Sequence, residues 1–244
     1  MLPYWMSRTN LLLQEDAINA LQSKKILLLG LGGVGGICAE MLVRAGIGNI
    51  TIVDNDKVDP SNINRQLIAL HSTIQQPKAA LWHRRLLDIN PNLQVEYLQL
   101  FADKQWIRTY IQPEKFDYVI DCIDTLTPKV FLLQHCVENK IKIVSSMGAG
   151  GKINPLLVQA CDISETYECN LAKYVRKKLR KVHIRKGIKV VFSPEETIPG
   201  SILVTENAKP KKSIIGTISY MPAIFGCTIA SVVITDLLGL KIQD

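Results

Sequence analysis

None of the six cysteines, Cys38, Cys122, Cys136, Cys161, Cys169 and Cys227, stands at CxxC spacing from another. The paired thiolates of a structural zinc site are therefore not supported. The opening residues, Met1-Leu2-Pro3-Tyr4-Trp5-Met6-Ser7-Arg8, have neither the basic-then-apolar order nor the cleavage site of a signal peptide. A cytoplasmic chain is expected, in which disulfides would not persist. No apolar run is long enough for a firm membrane association. The stretch Met221 to Leu240 is broken by Asp236 and diluted by Gly226, and its uninterrupted part falls short of the roughly 20 residues a span needs. A buried C-terminal helix is expected there. Internal repeats and low-complexity tracts are also missing.

Acid is missing from one segment as well. Nine cations lie between Lys173 and Lys189 with no carboxylate among them, whereas the rest of the chain carries 20 basic against 22 acidic residues. The net charge of +7 is thus the property of one segment, and it points to a polyanionic partner.

With 244 residues and 47% hydrophobic content, the chain fits one α/β domain with a full core. Short apolar runs at Lys25–Leu29, Ile50–Val53, Gln94–Leu98, Tyr118–Ile120 and Lys142–Ser145 read as strands. Helical spacing at Leu11–Leu21, Val34–Ala45, Lys78–Asp88, Asp103–Ile111 and Lys129–Asn139 separates or precedes them. This alternation predicts a Rossmann-like, mostly parallel sheet with helices on both faces. After the turn-rich Gly148-Ala149-Gly150-Gly151 the rhythm changes. Leu156–Ala160 suggests an antiparallel strand, Leu171–Lys181 a basic helix, Lys189–Phe192 a strand and Ile198–Ser213 a loop. The expected organisation is a core over about residues 10–160, a basic insertion over about 161–213, and a core helix over about 221–240, all within one domain.

Gly30-Leu31-Gly32-Gly33-Val34-Gly35 stands between a predicted strand and helix. Glycine there lets backbone N–H groups approach a phosphate at a helix N-terminus. By itself this does not separate NAD, FAD and ATP, and a tight turn without a ligand gives the same pattern. Asp54, at the end of the second strand, stands where a carboxylate meets ribose hydroxyls. The segment Asp54-Asn55-Asp56-Lys57-Val58-Asp59-Pro60-Ser61-Asn62-Ile63-Asn64-Arg65-Gln66, followed by Lys78, favours a triphosphate. Cations there neutralise charge developing on a departing pyrophosphate, a need a bound NAD diphosphate does not have. Asp121 and Asp124 close the fourth strand at the carboxyl edge of the sheet, where a carboxylate beside a triphosphate holds Mg²⁺.

The pattern GxGGxG, then DxDxVxxSNxxRQ, then lysine, then DxxD, resembles the ubiquitin-activating-enzyme-like superfamily of adenylating enzymes. The resemblance covers roughly residues 10 to 150. It implies ATP and Mg²⁺ as cofactors, with a monovalent cation as a further candidate. It implies ribose binding by Asp54, phosphate contacts from Asn62, Arg65 and Lys78, and Mg²⁺ at Asp124. Asp56, Asn64, Gln66 and Asp121 lie in the same motifs and are candidate lining residues. It also implies a homodimer whose partner lends an N-terminal arginine, for which Arg8 is the candidate. Arg65, Lys78 and Asp124 are the expected catalytic residues.

Within the superfamily the sequence is most similar to the RNA-modifying dehydratase branch. The similarity rests on Ala45-Gly46-Ile47-Gly48, Asp121-Cys122-Ile123-Asp124, Gly148 to Pro155, and Val191-Phe192-Ser193-Pro194-Glu195. That implies a partner, tRNA carrying threonylcarbamoyladenosine beside the anticodon, gripped by Lys173, Arg176, Lys177, Lys178, Arg180 and Lys181 through sequence-independent phosphate contacts. A rival is activation of a small carrier protein's C-terminal glycine, with or without sulfur relay. Cys161 and Cys169 leave a thiol acceptor open. A non-catalytic scaffold has no need of Arg65, Lys78 and Asp124 together, and an NAD-dependent oxidoreductase conflicts with the Asp54–Gln66 segment.

Overall fold

The computed structural model describes residues 2–204 and 213–240. Five strands alternate with helices: β1 (Lys25–Leu29), α3 (Gly33–Ala45), β2 (Asn49–Val53), α4 (Lys78–Ile89), β3 (Gln94–Leu98), α5 (Lys104–Tyr110), β4 (Tyr118–Asp121), α6 (Leu126–Glu138) and β5 (Ile143–Ser146). Ahead of them stand α1 (Ser7–Leu13) and α2 (Glu15–Gln22). The single helix expected over Leu11–Leu21 is broken at Gln14, whose φ is 68°. Later come β6 (Gln159–Asp162), α7 (Asn170–Arg180), β7 (Lys189–Phe192), β8 (Ile202–Val204), β9 (Ser213–Ile215) and α8 (Tyr220–Leu238).

Seven strands form one sheet in the order β3-β2-β1-β4-β5-β7-β6. All pairings are parallel except β6 with β7. The returning antiparallel strand therefore exists, displaced to Gln159–Asp162, because Pro155–Leu157 is taken up by a 3₁₀ turn capped by Asn154. The segment Ile198–Ser213, expected as loop, contains β8 and ends at the first residue of its antiparallel partner β9. Its Lys209-Pro210-Lys211-Lys212 run lies outside the described residues.

Alternation along β1 divides the core in two. Ile26 and Leu28 join one apolar cluster with α3, α4 and α8, while Leu27 and Leu29 join the other with α5, α6 and α7. Strands buried on both faces read as continuous apolar runs, as β1 does. Helix α8 is long and apolar enough to cross a membrane by length and composition, yet it packs on α3. A Cβ at Gly226 would fall 2.5 Å from the Val34 carbonyl oxygen, and one at Gly33 would fall 2.9 Å from Pro222 Cβ.

Candidate active site

The strand order reverses between β1 and β4, the position at which open α/β sheets bind ligands beyond the carboxyl ends of their strands. Three motifs meet there: the glycines after β1, Asp54 after β2, and Asp121–Asp124 after β4. Gly30 has a φ of 89°, and a Cβ on it would lie 2.7 Å from the Cys122 carbonyl oxygen. A Cβ on Gly35 would lie 1.8 Å from the Gly30 carbonyl oxygen. Only glycine lets the two loops touch while α3 starts directly beside them. Gly32 is the N-cap of α3, so the helix presents its free N–H groups at this point.

Asp54 is oriented before any ligand arrives. Its Oδ2 accepts from the Leu31 N–H at 2.6 Å and its Oδ1 from the Asp56 N–H at 2.7 Å. Burial raises its pKa, against the opposing pull of those two N–H groups and of Lys78.

Lys78 is buried, 5% exposed, in the first turn of α4, and its Nζ reaches exposed Asp56 at 3.1 Å. Pro77 is the N-cap of that helix. Arg65 donates from its Nη1 to the Ser61 carbonyl at 2.8 Å and to Asn64 Oδ1 at 2.9 Å. Asn64 in turn donates to the Thr217 carbonyl at 2.8 Å, tying this loop to the approach of α8. Asn62 is buried and accepts the Asp59 N–H. Gln66 is buried, its Oε1 has no hydrogen-bond partner, and its Nε2 lies 3.7 Å from where a Cβ on Gly32 would stand. An unsatisfied buried amide oxygen, on a side chain whose nitrogen approaches the glycine loop, fits a site made for a polar ligand.

Asp121 differs from the expectation that it lines the nucleotide. Its carboxylate is wholly buried. Oδ2 takes Lys129 Nζ at 2.6 Å and the Ser145 hydroxyl at 2.6 Å, and Oδ1 takes the Ile123 N–H at 3.0 Å. Lys129 also donates to Ser145 Oγ and to the Ser146 carbonyl, each at 3.0 Å. Asp121 thus fixes the corner from which Asp124 projects. Asp124 itself is exposed and accepts from Thr125 Oγ1 at 3.3 Å. Sequence spacing did not reveal Lys129. A lone lysine followed by Val130-Phe131-Leu132-Leu133 was the available signal. Among the described residues no three His, Cys, Asp or Glu side chains cluster as a metal site. A metal at Asp124 would therefore draw its other ligands from phosphate and water, the habit of Mg²⁺.

Arg8 lies exposed on α1. Neighbouring Met6 packs at Gly46, which caps the far end of α3. A 13-residue helix is about 20 Å long, so the structure does not bring Arg8 to its own chain's nucleotide loop.

Helix α7 buries Ala172, Val175 and Leu179 and exposes Lys173, Lys177, Lys178 and Arg180, with Lys181 exposed at its C-cap. Arg176 is the exception among the six. It is half-buried, and its Nη1 donates to the Thr166 carbonyl at 2.6 Å and to the Thr166 hydroxyl. The thiols are poorly placed for nucleophilic work. Burial raises the pKa of Cys38, Cys122 and Cys227, pushes Cys136 up to about 12 and Cys161 up to about 11. Cys169 is buried at the N-cap of α7.

Comparison with known proteins agrees with this geometry. The ThiF family model matches residues 6–243. The tRNA threonylcarbamoyladenosine dehydratase of Bacillus subtilis is 38% identical over 95% of this chain and 94% of its own. That of Escherichia coli is 36% identical over 75% of this chain and 71% of its own. The crystal structure of the E. coli tRNA N6-threonylcarbamoyladenosine dehydratase in complex with ATP superposes with a TM-score of 0.87 at 31% identity, covering 96% of this chain and 93% of that one. With its glycine loop, polar second-strand segment and DxxD corner at one switch point, the chain belongs to the ThiF family.

Proposed function

We propose that the protein is an ATP-dependent tRNA threonylcarbamoyladenosine dehydratase. It adenylates the threonyl carboxylate of the modified adenosine, and ring closure then releases AMP. A carboxylate is a poor electrophile, whereas the mixed anhydride with AMP carries a good leaving group. The ring forms when a nitrogen or oxygen of the same side chain bonds to the acyl carbon as the acyl–phosphate oxygen bond breaks. That nucleophile gives its proton to solvent. With pyrophosphate from the first step, the net change is loss of water from the substrate. Because nucleophile and electrophile share one molecule, proximity lowers the barrier without a protein nucleophile.

The observation that carries this reading is the meeting of Gly30–Gly35, Asp54, Arg65, Lys78 and Asp124 at the β1/β4 switch point in a chain whose full-length relatives are such dehydratases. Asp54 would accept the ribose hydroxyls. Lys78 exchanges its exposed carboxylate partner for phosphate, and Arg65 adds a second cation. Asp124 would hold Mg²⁺, which would supply positive charge to offset that on the departing pyrophosphate. A homodimer lending Arg8, a monovalent cation and a cytoplasmic setting complete the reading. The burial of Cys169 and the raised pKa of Cys161 speak against thioester transfer to a carrier protein.

ATP–pyrophosphate exchange tests it, run with tRNA carrying threonylcarbamoyladenosine, with a small carrier ending in Gly-Gly, and with neither. Exchange with the modified tRNA is expected. Exchange with the carrier alone overturns the proposal.

A further inference from the structure

Helices α5, α6 and α7 lie side by side over one face of the sheet. Where they meet, Leu126, Thr127, Val130, Phe131 and Gln134 of α6, Lys104 of α5 and Lys178 of α7 line an open cavity of about 120 Å³. Lys104 Nζ stands 5.5 Å and Arg108 Cζ 5.2 Å from the Phe131 ring centroid. The aromatic ring holds both cations in place without neutralising them. Among the described residues neither has a carboxylate within ion-pairing distance. The nearest acid along the chain, Asp103, is occupied as the N-cap of α5, accepting the Trp106 N–H at 2.8 Å.

The location gives these cations meaning. Leu126 and Thr127 begin α6 only two and three residues after Asp124. The cavity therefore lies between the cations of α7 and the corner that carries the reacting end of the nucleotide site. We propose that the polyanion path does not stop at α7: it crosses the first turn of α6, and Lys104, Arg108 and Lys178 hold an RNA backbone phosphate in the cavity while the modified base reaches Asp124. This rests on the tRNA reading above and names the route by which that substrate enters.

Size and charge both favour a phosphate. The cavity has room for roughly four water molecules at about 30 Å³ each, well below the roughly 300 Å³ at which small-molecule sites begin. It admits one compact group rather than a whole nucleotide. Lys104 of α5 and Lys178 of α7 line the cavity, and Arg108 stands beside Lys104 on the same Phe131 ring; such cations suit an anion, and a repeated phosphate backbone supplies anions at both the cavity and α7.

The test is filter or fluorescence binding of tRNA carrying threonylcarbamoyladenosine, over a salt series, to wild type and to Lys104→Gln/Arg108→Gln. Glutamine keeps a polar stem over Phe131 while removing charge, so folding is preserved; thermal denaturation and ATP affinity verify it. Lys104→Glu/Arg108→Glu is the stronger second variant. Expected are a tenfold or greater loss of tRNA affinity near 0.1 M salt, a salt slope shallower by about 0.9 for one lost phosphate contact, and unchanged ATP affinity. Unchanged tRNA affinity and slope in both variants overturn the path while leaving the dehydratase reading standing. A wild-type protein that binds no tRNA overturns both.

Discussion

The two cationic regions of this molecule are built on opposite principles. At the nucleotide end, Lys78 and Lys129 are buried, and each is matched to a carboxylate, Asp56 or Asp121. On α7 the lysines are exposed and no acid interrupts them. Buried, partnered charge fixes geometry to fractions of an ångström and is screened little by salt. Exposed, unpartnered charge attracts over about 10 Å and is screened within that distance. The first arrangement suits a small ligand whose reacting atoms must be placed. The second suits a large polyanion that must be captured.

That contrast breaks most visibly at Lys78. Lys78→Ala is expected to abolish ATP–pyrophosphate exchange while tRNA affinity stays nearly intact; equal loss of both in the two assays would erase the division between the regions. Next is Lys129→Met. Removing one partner of a buried pair costs about 3–5 kcal/mol, read as a lowered urea midpoint, because Asp121 then keeps a buried charge. Adding Asp121→Asn should recover most of that loss, and no recovery would mean that Lys129 acts through packing rather than charge.

On the exposed side, Lys173→Glu/Lys177→Glu is expected to weaken tRNA binding tenfold or more and flatten its salt dependence without moving stability. Arg176→Ala, in contrast, should lower the melting temperature through its lost bonds to Thr166. A salt-slope change for Arg176 as large as that of the lysines would move it to the RNA side.

The smallest effect is at Glu40. Burial pushes its carboxyl up, but hydrogen bonds from Arg85 and Arg44 outweigh this and hold it below the ordinary 4.5. The stability it contributes is therefore present above the unfolded pKa and lost as pH falls through the lower folded value. Glu40→Gln should unfold more readily than wild type at neutral pH, with the difference closing as pH falls from the ordinary 4.5 through the lower folded value. A difference that persists undiminished in acid would contradict the assignment.

Much of the fold was legible because strands buried on both faces and helices with one apolar side leave distinct periods. Lys25–Leu29 and Lys189–Phe192 match their expected strands residue for residue. The break at Gln14 was hidden, since no proline or glycine marks it and only a left-handed backbone reveals it. In the site, Gly30–Gly35, Asp54 and Lys78 were legible because chemistry dictates their residue type. Asp121 was misplaced because two aspartates three apart look alike in sequence, while burial and Lys129 separate their roles. The contribution of Lys104 and Arg108 was invisible for the same reason: it depends on Phe131, which stands 23 residues beyond Arg108 in the chain.

Helix α8 has a consequence for the order of events during synthesis. Its Pro222 closes on Gly33 and its Gly226 on the Val34 carbonyl, so a helix made after the whole sheet forms the back wall of a loop made before most of it. A nascent chain that has not yet released residues 220–238 has every strand of its sheet but no support behind the first turn of α3. Capacity for nucleotide would then arrive in one step with the emergence of residues 220–238, and chains terminated before them would be unable to consume ATP.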